Sequence, residues 1–150
     1  MIAMEEAQDQ LELDSRLSEQ GRMWQWVEAI ADQRQLSAET RFAIHLCLEE
    51  ALANTVIHGY RSQPGNPILI AMMAKEGRLL FTVEDRAFPF LPPPESECEL
   101  SGPPPSLETI VPGGNGIHLM RQFAKSVVYE PLPSGNKLTL AFADESSPRE

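Results

Sequence analysis

Two apolar runs, PILIAMMA and RLLFTVED, stand on either side of Lys75-Glu76-Gly77. Runs of that length, rich in Ile, Leu, Phe and Val and separated by a short glycine-containing turn, predict a β-hairpin. A hairpin favours an antiparallel sheet, because parallel pairing needs a long crossover. A second pair of runs, KSVVYEP and NKLTLAFA, joined by Pro133-Ser134-Gly135, repeats the pattern near the C-terminus.

Helical spacing precedes the first hairpin. Between Leu17 and Arg34, Trp24, Val27, Ile30 and Ala31 recur at threes and fours and predict a helix with that stripe inward. Trp24 and Trp26 are expected in or near the core, although an exposed tryptophan there would suit an interface. Ser37 is a good N-cap, and Glu39 suits the positive end of the next helix dipole. That second helix is expected to run to about His58, with Gly59 as a left-handed stop. A first strand is expected near Leu11 to Leu13. Pro64-Gly65-Asn66-Pro67 is turn chemistry.

The segment from Pro89 to Pro112 holds eight of the thirteen prolines. Such a stretch reads as a lid or an insertion rather than regular structure. It leads into PGGNGIHLMRQFA, a glycine-rich turn opening a third helix with Ile117, Met120 and Phe123 as the expected buried stripe. The element order predicts an α+β two-layer sandwich: three helices on one face of a mostly antiparallel sheet of four to five strands. One domain is expected over residues 11–143, with a lid at 86–112, a loose start at 1–10 and a disordered tail at 144–150.

Composition narrows the function. A formal net charge of −10 disfavours nucleic acid or an anionic membrane as partner. The two cysteines, Cys47 and Cys98, lack metal-ligand spacing and read as ordinary thiols in a reducing compartment. The opening MIAMEEAQDQLELD is acidic where a secretory leader is basic then apolar. No apolar run approaches a membrane span. The expected location is the cytoplasm.

The stretch EEALANTVIHGY carries the sharpest tension. Eleven of the sixteen residues from Phe42 to Ile57 are apolar, yet Glu49, Glu50 and Asn54 interrupt them. Buried polar groups are costly unless satisfied. Glu50 and Asn54, four apart, share one helix face. They form either a structural hydrogen-bond pair or one wall of a ligand site. Glu49 lies about 100° further round and is expected to meet solvent or a partner. Two other features are equally open by themselves. VPGGNGIHL is a hinge or an anion-binding helix start, and Asp85, leaving a strand, is a turn former or an acceptor for an exocyclic amine. His45, His58 and His118 are scattered, and no metal site is expected among them.

Taken in order, Glu50-x-x-x-Asn54, Asp85 with Pro89-Phe90, and Gly113-Gly114-Asn115-Gly116-Ile117-His118-Leu119-Met120 resemble the GHKL ATPase superfamily. The resemblance covers roughly residues 15–142 and is closest to bacterial anti-sigma-factor serine/threonine kinases of partner-switching modules. It implies ATP and Mg²⁺ as cofactors, with Asn54 holding the metal. Glu50 would orient or deprotonate the attacking group, and Asp85 would read the adenine amine. Gly114 and Gly116 would wrap the phosphates at a helix start, and Ala87, Asn115 and Ile117 would complete the nucleotide contacts. An anti-anti-sigma antagonist and a sigma factor would be the partners, and a homodimer is possible in such a family. Ala87 departs from the family's D-x-G-x-P or D-x-G-x-G pattern; a positive φ there would cost alanine roughly 1–2 kcal/mol. The alternative reading is a non-catalytic binding module of the same fold.

Overall fold

The computed structural model describes residues 9–87 and 116–144. The elements run β1 (Asp9–Asp14), a 3₁₀ turn (Leu17–Glu19), α1 (Gln20–Gln33), α2 (Ala38–Ala53), a π-helical turn (Asn54–Gly59), β2 (Pro67–Lys75), β3 (Arg78–Asp85), α3 (Gly116–Phe123), β4 (Ser126–Leu132) and β5 (Gly135–Ala143). The five strands form one sheet in the order β1-β2-β3-β5-β4, and every neighbouring pair is antiparallel.

The β2–β3 hairpin pairs Lys75 with Arg78. Its two turn residues, Glu76 and Gly77, have φ of 53° and 79°. Positive φ at both positions gives the turn the twist that right-handed strands need. β3 alternates strictly: Leu79, Phe81, Val83 and Asp85 face inward, while Leu80, Thr82 and Glu84 face the other way. Ile68, Ile70 and Met72 from β2, with Leu140 and Phe142 from β5, extend the same inner face. Phe81 sits at its centre, edge-on to Trp26 and to Phe142 with ring centroids 6.0 and 5.9 Å away.

Met23, Val27, Ile30 and Ala31 of α1 cover this face. Val27, Ile30 and Ala31 are thus inward as the spacing suggested, and Met23 takes the place expected for Trp24. Trp24 is 48% exposed, and its ring stacks on His45 at 5.0 Å. Packing against α2 draws Met23 inward and leaves Trp24 on the flank of the helix pair. In α3, Met120 is fully buried, but Phe123 is 39% exposed and leans edge-on against Phe42, which is also exposed.

α2 is the central helix, in contact with α1, α3 and β5. That position explains its composition: with neighbours on three sides it has no wide solvent face, so the apolar residues do not form a single stripe. The Ser37 hydroxyl accepts from Thr40 N–H at 3.2 Å, as an N-cap should. The other end differs from expectation. The α-helix stops at Ala53 and continues as a π-helical turn, with Tyr60 N–H donating to Thr55 C=O at 2.8 Å. Gly59 does not take a left-handed conformation; Arg61 and Ser62 do, with φ of 55° and 62°.

The described residues are held in place at their first and last positions. β1 already pairs at Asp9. Asp144 is bonded at both backbone and side chain: its N–H donates to Gly77 C=O, and its carboxylate accepts from Arg34 at 3.0 Å.

Candidate functional site

Alternation along β3 carries an inward pattern past Val83 to Asp85, so a carboxylate arrives at the end of an apolar file. Asp85 is 5% exposed and must be satisfied by protein groups or a ligand. Ala87 N–H donates to its Oδ1 at 2.9 Å, closing the local turn that an aspartate at a strand end favours. Asn136 Nδ2 donates to the same Oδ1 at 2.9 Å. Thr55 Oγ1 donates to Oδ2 across a longer 3.4 Å. The turn-forming role and the buried-acceptor role thus coexist in one residue.

Two close approaches hold this corner. Asp85 pairs directly with Asn136 in the β3–β5 ladder. The neighbouring Gly135 has φ of 145°, and a Cβ added there would lie 1.9 Å from the Asp85 carbonyl oxygen. No side chain fits in that space, which makes the glycine a structural requirement of the Asp85 position. On the other side Tyr60 clamps the strand end: its hydroxyl donates to Pro67 C=O at 2.8 Å and accepts from Arg86 N–H at 2.6 Å. Burial pushes the Tyr60 phenol above its ordinary range, so it stays a neutral hydroxyl able to do both.

Ala87, the departure from the family motif, is buried. Among the described residues the non-glycine positions with positive φ are Gln35, Arg61, Ser62 and Glu76. Ala87 is not one of them, so alanine carries no left-handed strain here.

Glu50 and Asn54 are 7% and 8% exposed, on the same face at the C-terminal end of α2. Asn54 opens the π-helical turn, and Thr55, the next residue, reaches Asp85. Through that contact the Glu50–Asn54 end of α2 and the end of β3 meet. Such single-turn π segments occur often at functional sites. Cys47, one turn before Glu50, shows the local electrostatics: burial, with the Glu50 charge adding to it, pushes the thiol up to about 12. Glu49, expected to meet solvent or a partner, is half-buried, and burial raises its carboxyl while the His45 charge and a Gln20 hydrogen bond pull it back.

A cleft of about 690 Å³ opens beside this corner, lined in part by Gly59, Tyr60, Arg86, Ala87 and Gly135. Neither Glu50 nor Asn54 lines it. Gly114 and Asn115 lie outside the described residues, as do Cys98 and all but the first two residues of the lid expected at 86–112. Gly116 and Ile117 are the first two residues of α3. Asn136, Thr55, Tyr60 and Gly135 did not emerge from sequence reasoning as site residues. Asn136 had one legible signal, its phase with Leu138, Leu140 and Phe142 on β5, which puts it on the inner face.

An antiparallel sheet with helices on one face, a buried Glu-x-x-x-Asn on the inner helix and a buried strand-end Asp define a nucleotide-binding fold of the GHKL type. The chain belongs to the family described as the histidine kinase-like ATPase domain, which residues 13–142 match. It is 33% identical over 117 residues to the serine/threonine-protein kinase BtrW of Bordetella bronchiseptica, covering 77% of this chain and 79% of that one. It is 30% identical over 87 residues to the anti-sigma F factor of Geobacillus thermodenitrificans, covering 58% of each. No helix among the described residues is long and apolar enough to cross a membrane.

Proposed function

We propose that this protein is a cytoplasmic MgATP-dependent serine/threonine kinase that phosphorylates an anti-anti-sigma antagonist and also sequesters a sigma factor. The observation that carries the reading is the burial of Glu50 and Asn54 one turn apart, tied through Thr55 to the buried Asp85. An apolar central helix gains no stability from a carboxylate and an amide placed there. A nucleotide site gives both a use.

In this reading Asp85 accepts the adenine amine at Oδ2, and Asn54 offers its amide oxygen toward Mg²⁺, a hard ion suited to oxygen donors. When bound, Mg²⁺ would neutralise charge on the phosphates of ATP. Glu50, held by α2, takes the proton from the serine or threonine hydroxyl as that oxygen bonds to the γ-phosphorus of ATP and the bond to the leaving ADP breaks. The backbone of the 113–117 turn, with Gly114, Asn115, Gly116 and Ile117, is assigned to the phosphates, and Ala87 to the base. The relatives' names, a serine/threonine-protein kinase and an anti-sigma factor, support the kinase and sigma-binding halves of the proposal.

Calorimetric titration with ATP, with Mg²⁺ and with EDTA, on the wild type and on Asn54→Ala tests the site. Mg²⁺-dependent binding lost in the variant is expected. Binding indifferent to both metal and Asn54 would remove the metal role. Labelled ATP should then transfer its phosphate to a serine or threonine of the antagonist, and persistent absence of label with a bound antagonist would remove the kinase role.

A further inference from the structure

Tyr129, Asn136 and Asp85 form a hydrogen-bonded line across three adjacent strands, β4, β5 and β3. Tyr129 pairs with Leu138 in the ladder, and its hydroxyl reaches the diagonal neighbour, donating to Asn136 Oδ1. Asn136 Nδ2 donates to Asp85 Oδ1 at 2.9 Å and lies 3.4 Å from the Ala87 carbonyl oxygen.

An asparagine amide carries its acceptor on one atom and its donors on the other. The Asp85 carboxylate and the Ala87 carbonyl, which only accept, therefore turn the amide so that Nδ2 faces them, and the Tyr129 hydroxyl holds Oδ1 in place by donating to it. Turned over, Oδ1 would oppose the Asp85 carboxylate, two acceptors with no proton between them. In the observed orientation Asp85 Oδ1 takes two donors, from Asn136 and from the Ala87 N–H. Oδ2 takes one longer bond from Thr55, and an oxygen with two lone pairs keeps one for a ligand. The line thus holds Asp85 by Oδ1 and leaves Oδ2 with acceptor capacity for a ligand.

We infer that Tyr129 and Asn136 are base-selecting positioning residues, which act through Asp85 to favour a purine bearing an exocyclic amine over one bearing a carbonyl at that position. This rests on the nucleotide reading of the site. An amine donates to Oδ2, whereas a carbonyl would leave two buried acceptors facing each other. Neither residue touches the base; each fixes the group that does.

The test is calorimetric titration of ATP and of inosine triphosphate, which carries a carbonyl in place of the amine, into the wild type, Tyr129→Phe and Asn136→Ala. Thermal melts of all three accompany the titrations. The wild type is expected to prefer ATP by at least about tenfold. The ATP-to-inosine ratio is expected to fall severalfold in Tyr129→Phe and toward unity in Asn136→Ala. A purely structural role would lower both affinities together and leave the ratio unchanged. A wild-type ratio in a folded Tyr129→Phe overturns the inference, even if Asn136→Ala fails to fold. A wild type that binds neither triphosphate overturns the nucleotide reading itself, and the inference with it.

Discussion

At its N-terminal end α2 is built from neighbours in sequence: Ser37 caps it, Glu39 sits in its first turn, and Arg41 bridges to Glu28 and Asp32 on α1. At its C-terminal end none of those devices appears. Glu50, Asn54 and Thr55 are buried, the helix widens into a π turn, and the left-handed residues come late, at Arg61 and Ser62. The first end is organised for stability, with polar groups in contact with water or with each other. The second holds polar groups in the interior where they help the fold little, which is the pattern expected of a site.

Four substitutions sharpen or break that contrast. Glu50→Gln is expected to lower phosphoryl transfer by about 10²–10⁴-fold, the usual contribution of a general base. Its stability should hold or rise, since a buried charge is removed. If urea unfolding instead shows a loss as large as that of a core truncation, Glu50 belongs to the scaffold and the contrast fails. Leu48→Ala supplies that reference from the fully buried part of the helix, with an expected cost of about 2–5 kcal/mol by urea denaturation.

Gly135→Ala should cost roughly 1–3 kcal/mol from its φ alone, with the overlap against Asp85 added. Because that overlap displaces the Asp85 carbonyl, nucleotide binding should weaken together with stability, unlike in Leu48→Ala. Ser37→Ala, at the other end, should cost about 1 kcal/mol in thermal or urea unfolding and leave nucleotide affinity unchanged. A matching loss of affinity would mean the two ends of α2 are coupled.

The smallest effect concerns Cys47. Its folded thiol sits near 12 against an ordinary 9.0, so the native state holds the proton more tightly than the unfolded chain does. The associated stability is complete below about pH 9 and is lost as pH rises through the folded value near 12. In a Cys98→Ser background, alkylation of Cys47 should be slow in the native protein and fast in urea. Glu50→Gln should bring the native thiol down somewhat, because the Glu50 charge contributes to its shift. No change would place Glu50 electrically remote from α2's interior.

Much of this was decided within a few residues of chain. The turn at Glu76-Gly77, the Ser37 cap, the strand alternation that turns Asp85 inward and the shared face of Glu50 and Asn54 all follow from local geometry and periods of 2 and 3.6. The sequence by itself therefore determined the two hairpins, the helices, the α+β class and, with the motif order, the family. The tertiary structure alone decided which hairpin strands lie side by side. Placing β5 next to β3, with β4 outside, sets Asn136 against Asp85, 51 residues away, and makes Gly135 indispensable. It also left Trp24 on the surface and ended α2 as a π turn. Those features depend on contacts between segments distant along the chain, and local propensity carries no information about which distant segment arrives.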